Sequence, residues 1–192
     1  MKNQVSHIVH KIFSLYSEFG HEKYGEEVSQ ISHMVQTAQL AMGEGFDEEV
    51  IIAAFLHDIG HLYAKSVSPE EIDSWGAFNH EVVGATFLRE HGFSEKVTDL
   101  VEGHVKAKRY LTLREEGYYD RLSTASKKTL EQQGGKMNEE EAAAFEQSNY
   151  FGLSLNLRYW DEMAKIPRQQ IPNLAFIKEM IVRHLQENRV GV

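Results

Sequence analysis

Apolar residues along this chain recur at intervals of three and four rather than in alternation, the period of helices with one buried face. In "VSQISHMVQTAQLA", Val28, Ile31, Val35, Ala38 and Ala41 form one such stripe, on a helix expected over about 27–43. An earlier helix is expected over about 4–18. The run "VIIAAFL" is apolar on every side, as a helix at the centre of a core must be. It belongs to a helix "EEVIIAAFLHDIG", with Asp47 placed to accept the unpaired N–H groups of its first turn. Gly60 lies near the end of that helix, where a left-handed residue can close it.

A polar loop is expected over 64–78, then a helix over about 79–91 that stops at Gly92. Ser94 caps a helix that carries His104 and runs to about 110. Further helices are expected at 118–132, 138–147, 154–164 and 173–188, with Gly134-Gly135 as the clearest break. Asn138, followed three residues later by Glu141, has the spacing of a capping box. No strand pattern, repeat or low-complexity tract interrupts this order, and there are only three prolines to break helices. The expected fold class is therefore all-α, one domain over 1–192.

Composition narrows the chemistry. The chain has 192 residues, enough for one domain with a sizeable core. It has no run of about 18 apolar residues, and "MKNQVSHIVHKIFSLYSEFG" has no signal-peptide cleavage site, so a cytoplasmic protein with no membrane partner is expected. A net charge of −9 argues against nucleic acid as a partner. Positive charge concentrates in "HVKAKRY" (104–110) with Lys127, Lys128 and Arg158, which make either a solvated helix face or an anion pocket. The absence of cysteine excludes disulfides, thiolate metal sites and a cysteine nucleophile, so any metal must rest on His, Asp and Glu. That donor set favours iron, manganese or magnesium.

His33, His57, Asp58, His80, His104 and Asp161 fall on different expected helices, among apolar neighbours that turn them inward. Burying them unpaired would be costly, and a metal offsets the cost. In "FLHDIGH" the carboxylate of Asp58 has two oxygens and can bridge two cations, while His57 can bind one. His61, one turn on, is a third candidate ligand. His7, His10, His21, His91 and His184 lack this setting and read as surface or local capping residues.

In this order, His33, "LHDIGH" with His57-Asp58, "NHEVVGA" with His80, "EGHVKAKRYL" with His104 and "RYWDE" with Asp161 resemble the HD-domain superfamily. Within it the chain is most similar to the mixed-valent di-iron oxygenases that cleave hydroxylated aminophosphonates. "LHDIGH" occurs in many HD phosphohydrolases; "EGHVKAKRYL", "ASKKTLEQQGG" and "RYWDE" are far more specific, and the likeness spans about 24–187. The resemblance implies an HD-domain helical bundle with a di-metal site at its centre, holding two iron ions as an Fe(II)/Fe(III) pair with dioxygen as co-substrate. His33, His57, Asp58 and Asp161 would serve one iron, and Asp58, His80 and His104 the other.

It also implies the reaction. The substrate would be a small phosphonate, 1-hydroxy-2-aminoethylphosphonate as the primary amine or N-trimethylated, cleaved to glycine or glycine betaine plus phosphate. Asp58, His61 and Lys108 would carry catalytic roles. Lys108, Ser126, Gln133 and Arg158 would hold the phosphonate, with His61 and His80 beside the substrate. In the family a tyrosine covers an iron until substrate displaces it, and a glutamate three residues later meets the substrate amine. Here Lys23 aligns with the tyrosine, Tyr24 follows it, and Glu26 aligns with the glutamate. A trimethylammonium head would favour aromatic walls, for which Tyr24, Tyr63, Trp75 and Phe78 are available. Two other readings use the same motifs: an HD phosphohydrolase of nucleotides or phosphate esters, and a sensory domain that has lost catalysis.

Overall fold

The computed structural model describes residues 2–188, and among these every regular element longer than an isolated bridge is a helix. Helix α1 is Lys2–Phe19, α2 Gln30–Gly43, α3 Glu48–Leu56 and α4 Ile59–Val67. A short turn at Pro69–Glu71 precedes α5 (His80–Glu90) and the long α6 (Glu95–Arg114). Then come α7 (Tyr118–Arg121), α8 (Thr124–Gln132), α9 (Glu139–Glu146), α10 (Phe151–Met163) and α11 (Ala175–Asn188). No helix among the described residues is long and apolar enough to cross a membrane.

Helix α3 occupies the centre, with Val50 to Leu56 all buried, and packs against α2, α6, α10 and α11. Each Ile, Leu or Phe so enclosed contributes about 1.5–3 kcal/mol by leaving water. Asp47 caps the helix by accepting the Val50 N–H at 3.2 Å. Helix α1 lays Val5, Ile8, Val9, Ile12 and Leu15 over this core and packs on α4 and α11.

The single helix expected across "EEVIIAAFLHDIG" is in fact two. Helix α3 stops at Leu56 and α4 starts at Ile59, with Asp58 at φ −101°, ψ 8° between them. Polar side chains take the carbonyls that a continuous helix would use: His57 Nδ1 meets Ala54 O at 2.9 Å, and the Tyr16 hydroxyl donates to Phe55 O at 2.8 Å. The break turns His57 and Asp58 toward the same interior point. Gly60, expected to close a helix, lies inside α4. A Cβ there would sit 1.9 Å from the His80 carbonyl oxygen, so glycine is what lets α4 and α5 cross this closely.

Other boundaries shift for local reasons. Helix α2 begins at Gln30 rather than 27, because Ser29 is extended at φ −77°, ψ 155°, after a turn in which Tyr24 and Gly25 adopt left-handed φ values of 39° and 77°. Helix α4 runs to Val67, into the expected loop, and α6 runs a turn beyond 110. The helix expected over 118–132 divides at Ser123, whose hydroxyl accepts the Ser126 N–H at 3.1 Å and caps α8. The capping box at Asn138 and Glu141 forms with both bonds at 2.8 Å, and Gly134 and Gly135 break the chain with φ of 93° and 70°. His184 is not a surface residue: it is buried on α11 and accepts the Ser94 N–H at 3.2 Å, tying α11 to the start of α6.

Candidate metal centre

The helices α2, α5, α6 and α10 converge on the α3–α4 break and bring His33, His57, Asp58, His80, His104 and Asp161 together, all buried. The two oxygens of Asp58 face opposite ways. Its Oδ2 lies 3.5 Å from His33 Nε2 and 3.4 Å from His57 Nε2. Its Oδ1 lies 3.3 Å from His80 Nε2 and 3.6 Å from His104 Nε2. Asp161 Oδ1 joins the first side, 3.1 Å from His33 Nε2 and 3.9 Å from His57 Nε2.

The far sides of the imidazoles show what this arrangement is suited to hold. Nδ1 of His33, His57 and His104 each meets a backbone carbonyl, of Ala164 at 2.9 Å, Ala54 at 2.9 Å and Val101 at 2.6 Å. A carbonyl only accepts, so Nδ1 carries a proton and Nε2 is the ring atom left facing inward, free to offer its lone pair to a cation. The Nε2 atoms lie 3.2 Å apart in His33 and His57 and 3.1 Å apart in His80 and His104, beside two buried carboxylates. Imidazole nitrogens and carboxylates crowded this closely call for a proton or a cation among them, and a carbonyl bond behind the ring, which His33, His57 and His104 have, is how metal-binding histidines are oriented. The residues therefore fit two metal ions sharing Asp58.

The charges agree. Burial acts to raise the carboxyl of Asp58, but His57 and His80 hold it well below the usual carboxylate range. Burial opposes ionisation of Asp161 too, and Arg158 with His33 holds it low. Burial acts to lower His57, yet Asp58 and Asp161 push it up to about 9, drawing in a proton where a metal would supply the positive charge. His61 also lies within ligating reach of Asp58 and His80. Its Nδ1, however, accepts the Ala77 N–H at 2.8 Å, which leaves the proton on Nε2, and burial followed by the His80 charge keeps the ring neutral. His61 is thus a hydrogen-bond donor stacked on His80, ring centroids 3.8 Å apart.

A small cavity, about 70 Å³, opens onto these groups. Lys108 lines it one turn beyond His104, as does Arg158 one turn before Asp161, and both are buried. Arg158 Nη1 donates to Asp161 at 2.6 Å, and Nε donates to Glu162 at 2.8 Å and to the Tyr118 hydroxyl at 3.0 Å. Its Nη2 is buried with no partner among the described residues. Lys108 donates to Thr129 Oγ1 at 2.9 Å and has protons to spare. Burial, then repulsion from Arg158, brings Lys108 down to about 7. Two cationic groups with unused donors beside a metal centre make an anion site.

Tyr24 and Glu26 line the same cavity, as does Ser126. Lys23 is exposed and Tyr24 buried, so the left-handed turn brings Tyr24 inward with its hydroxyl unpartnered. Gln133 is not among the lining residues; it ends α8, and Thr129 lines the cavity from that helix instead. Of the four aromatics, Trp75 joins Tyr24 in the wall, Tyr63 packs on Phe87, and Phe78 is 62% exposed. Lys127 and Lys128 are spent outside, on the Asp120 carbonyl and on Glu131. Sequence reasoning missed Lys165, four residues after Asp161, which lines the cavity and meets Glu26 at 2.6 Å. The i+4 spacing from a candidate ligand was the one available signal, and it is weak beyond a helix end.

Comparison with known proteins adds the following. The profile of the HD domain matches residues 30–171. The chain is 37% identical to the uncharacterized protein L432 of Acanthamoeba polyphaga mimivirus, covering 98% of this chain and 87% of that one. It is 37% identical to the 1-hydroxy-2-(trimethylamino)ethylphosphonate dioxygenase (glycine-betaine-forming) of Leisingera caerulea, covering 94% and 92%. It is also 37% identical to the hydroxymethylphosphonate dioxygenase of Gimesia maris, covering 86% and 82%.

Proposed function

We propose, from the premise that this chain belongs to the HD-domain family, that it is an oxygenase cleaving the carbon–phosphorus bond of a small 1-hydroxyphosphonate. One dioxygen is consumed; the hydroxyl-bearing carbon leaves as a carboxylate and phosphorus as phosphate, with the C–H and C–P bonds broken. The observation that carries this reading is that Lys108 and Arg158 open into the same cavity as both faces of Asp58. A phosphonate can thus be held beside two metals at once. The names of two relatives support an oxygenase over a hydrolase.

The metals are proposed to be iron, as an Fe(II)/Fe(III) pair that supplies the one-electron steps dioxygen requires. His33, His57 and Asp161 would hold one on the Oδ2 side of Asp58, and His80 with His104 the other on the Oδ1 side. Lys108 and Arg158 Nη2 neutralise the phosphonate and fix it, since charge-assisted bonds in a dry site are strong. His61, kept neutral, offers Nε2–H beside His80 without adding charge. Fixing the C–H bond in place is the larger share of the protein's work, because orientation alone removes much of a barrier.

The test is to supply iron-loaded protein with hydroxymethylphosphonate and with 1-hydroxy-2-aminoethylphosphonate, free or N-trimethylated, and to record oxygen uptake and phosphate. Phosphate equal to oxygen consumed with at least one of them is expected. Phosphate from nucleotides or phosphate esters without oxygen, and none from the phosphonates, would replace this reading with a phosphohydrolase.

A further inference from the structure

The resemblance assigns Glu26 to a substrate amine, but in this chain its Oε1 is already taken by a cation of the protein itself. Glu26 Oε1 accepts from Lys165 Nζ at 2.6 Å and from Ser123 Oγ at 2.6 Å. Lys165 also reaches Ser123 Oγ at 3.2 Å and Ser126 Oγ at 3.4 Å, so it is fixed by more than one bond. The other carboxylates lining the cavity are Asp58 and Asp161, which face the histidines, and Asp161 is further bound by Arg158. An ammonium group on the substrate would find Glu26 already neutralised by Lys165 and, elsewhere in the wall, only the uncharged Gln30 Oε1, which is buried with no partner among the described residues. It would meet a fixed cation of its own sign in a confined space, which costs affinity.

The aromatic residues offer an ammonium group only partial compensation. Tyr24 lies against the His61 ring, centroids 5.0 Å apart. Trp75 lies so close to the Gly25 backbone that a Cβ there would be 2.5 Å from its ring. Both rings are therefore partly enclosed by their neighbours. The cavity is also small, about 70 Å³.

We infer that Lys165 is a specificity-determining residue: by holding Glu26 it excludes ammonium-bearing phosphonates and selects 1-hydroxyphosphonates whose carbon substituent is uncharged. This rests on the cavity being a phosphonate site, as proposed above. Lys165 takes with its own charge the place that the substrate's cation would need, so the pair acts by negative selection.

The probes are 1-hydroxyethylphosphonate and 2-amino-1-hydroxyethylphosphonate, which differ only in the amine. With iron-loaded wild type, kcat/KM should favour the uncharged substrate by at least about tenfold, and Lys165→Met should erase about tenfold of that preference by releasing Glu26. Lys165→Arg, which keeps the charge, should retain the wild-type ratio. In parallel, calorimetry with ethylphosphonate and 2-aminoethylphosphonate, which lack the hydroxyl group, reads the same preference through binding alone. A wild-type preference for the ammonium compounds, or a ratio unmoved by Lys165→Met, would overturn the inference. Selective binding of ethylphosphonate with no turnover of any substrate would leave the selectivity standing and sink the oxygenase reading instead.

Discussion

The direction in which each ring nitrogen points is what turns a group of buried histidines into a metal centre. Because carbonyls hold Nδ1 of His33, His57 and His104, Nε2 is the atom left to ligate, and Asp58 lies between the two sides as their candidate link. Asp58→Ala is therefore expected to bring the metal content of purified protein from about two ions per chain to one or fewer, with activity lost, as read by elemental analysis. Lys108→Met should raise KM about 10- to 100-fold with a smaller change in kcat, because a hydrogen bond to a charged group contributes about 1.5–3 kcal/mol. Lys108 also sets a pH dependence. Its folded value, about 7, lies below the ordinary 10.5, so the native state releases this proton first as pH rises. Stability then increases from about pH 7 to 10.5 and is flat below 7, as far as this group is concerned. Phosphonate binding through Lys108 should run the other way, stronger below about 7 and weaker above, since the protonated amine would be the binding form. Calorimetry near pH 8 in buffers of different protonation enthalpy should show proton uptake on phosphonate binding that vanishes in Lys108→Met.

At the level of elements, the crossing of α4 and α5 and the break between α3 and α4 place the candidate metal ligands. Gly60→Ala would press a Cβ into the His80 backbone and push α5 away, costing about 3 kcal/mol or more and lowering Tm by about 6–12 °C. Metal content should fall with it, because His80 rides on α5. Asn138→Ala, which removes a capping box remote from the cavity, should lower Tm by only about 2–4 °C with kcat unchanged. The helices themselves were legible in the sequence because apolar spacing and caps at Asp47, Ser94 and Asn138 are local signals. The break at His57-Asp58 was not, since the groups that cause it include the hydroxyl of Tyr16, distant in sequence. The same holds for the cavity. His33, Asp58, His104, Lys108 and Arg158 could be picked out by motif and helical phase, whereas the Lys165–Glu26 pair is 139 residues apart and exists only in the fold.

Across the whole molecule, helices from distant parts of the chain are joined through one polar centre inside an apolar core. Metal binding and folding should therefore be coupled, and ligands that bind only the native state stabilise it by mass action. At metal about a thousandfold above Kd the gain is about 4 kcal/mol, so chelation should lower Tm by about 8–16 °C and restoring iron should reverse it, by differential scanning calorimetry. A chain that melts identically with and without metal would place the ions elsewhere. The most direct test of two irons joined by Asp58 is the electron paramagnetic resonance spectrum of the half-reduced, iron-loaded protein, before and after adding a 1-hydroxyphosphonate. A coupled Fe(II)/Fe(III) signal is expected in wild type, altered by the phosphonate and absent from Asp58→Ala. Only uncoupled ferric iron in the wild type, unmoved by the phosphonate, would contradict a shared di-iron centre.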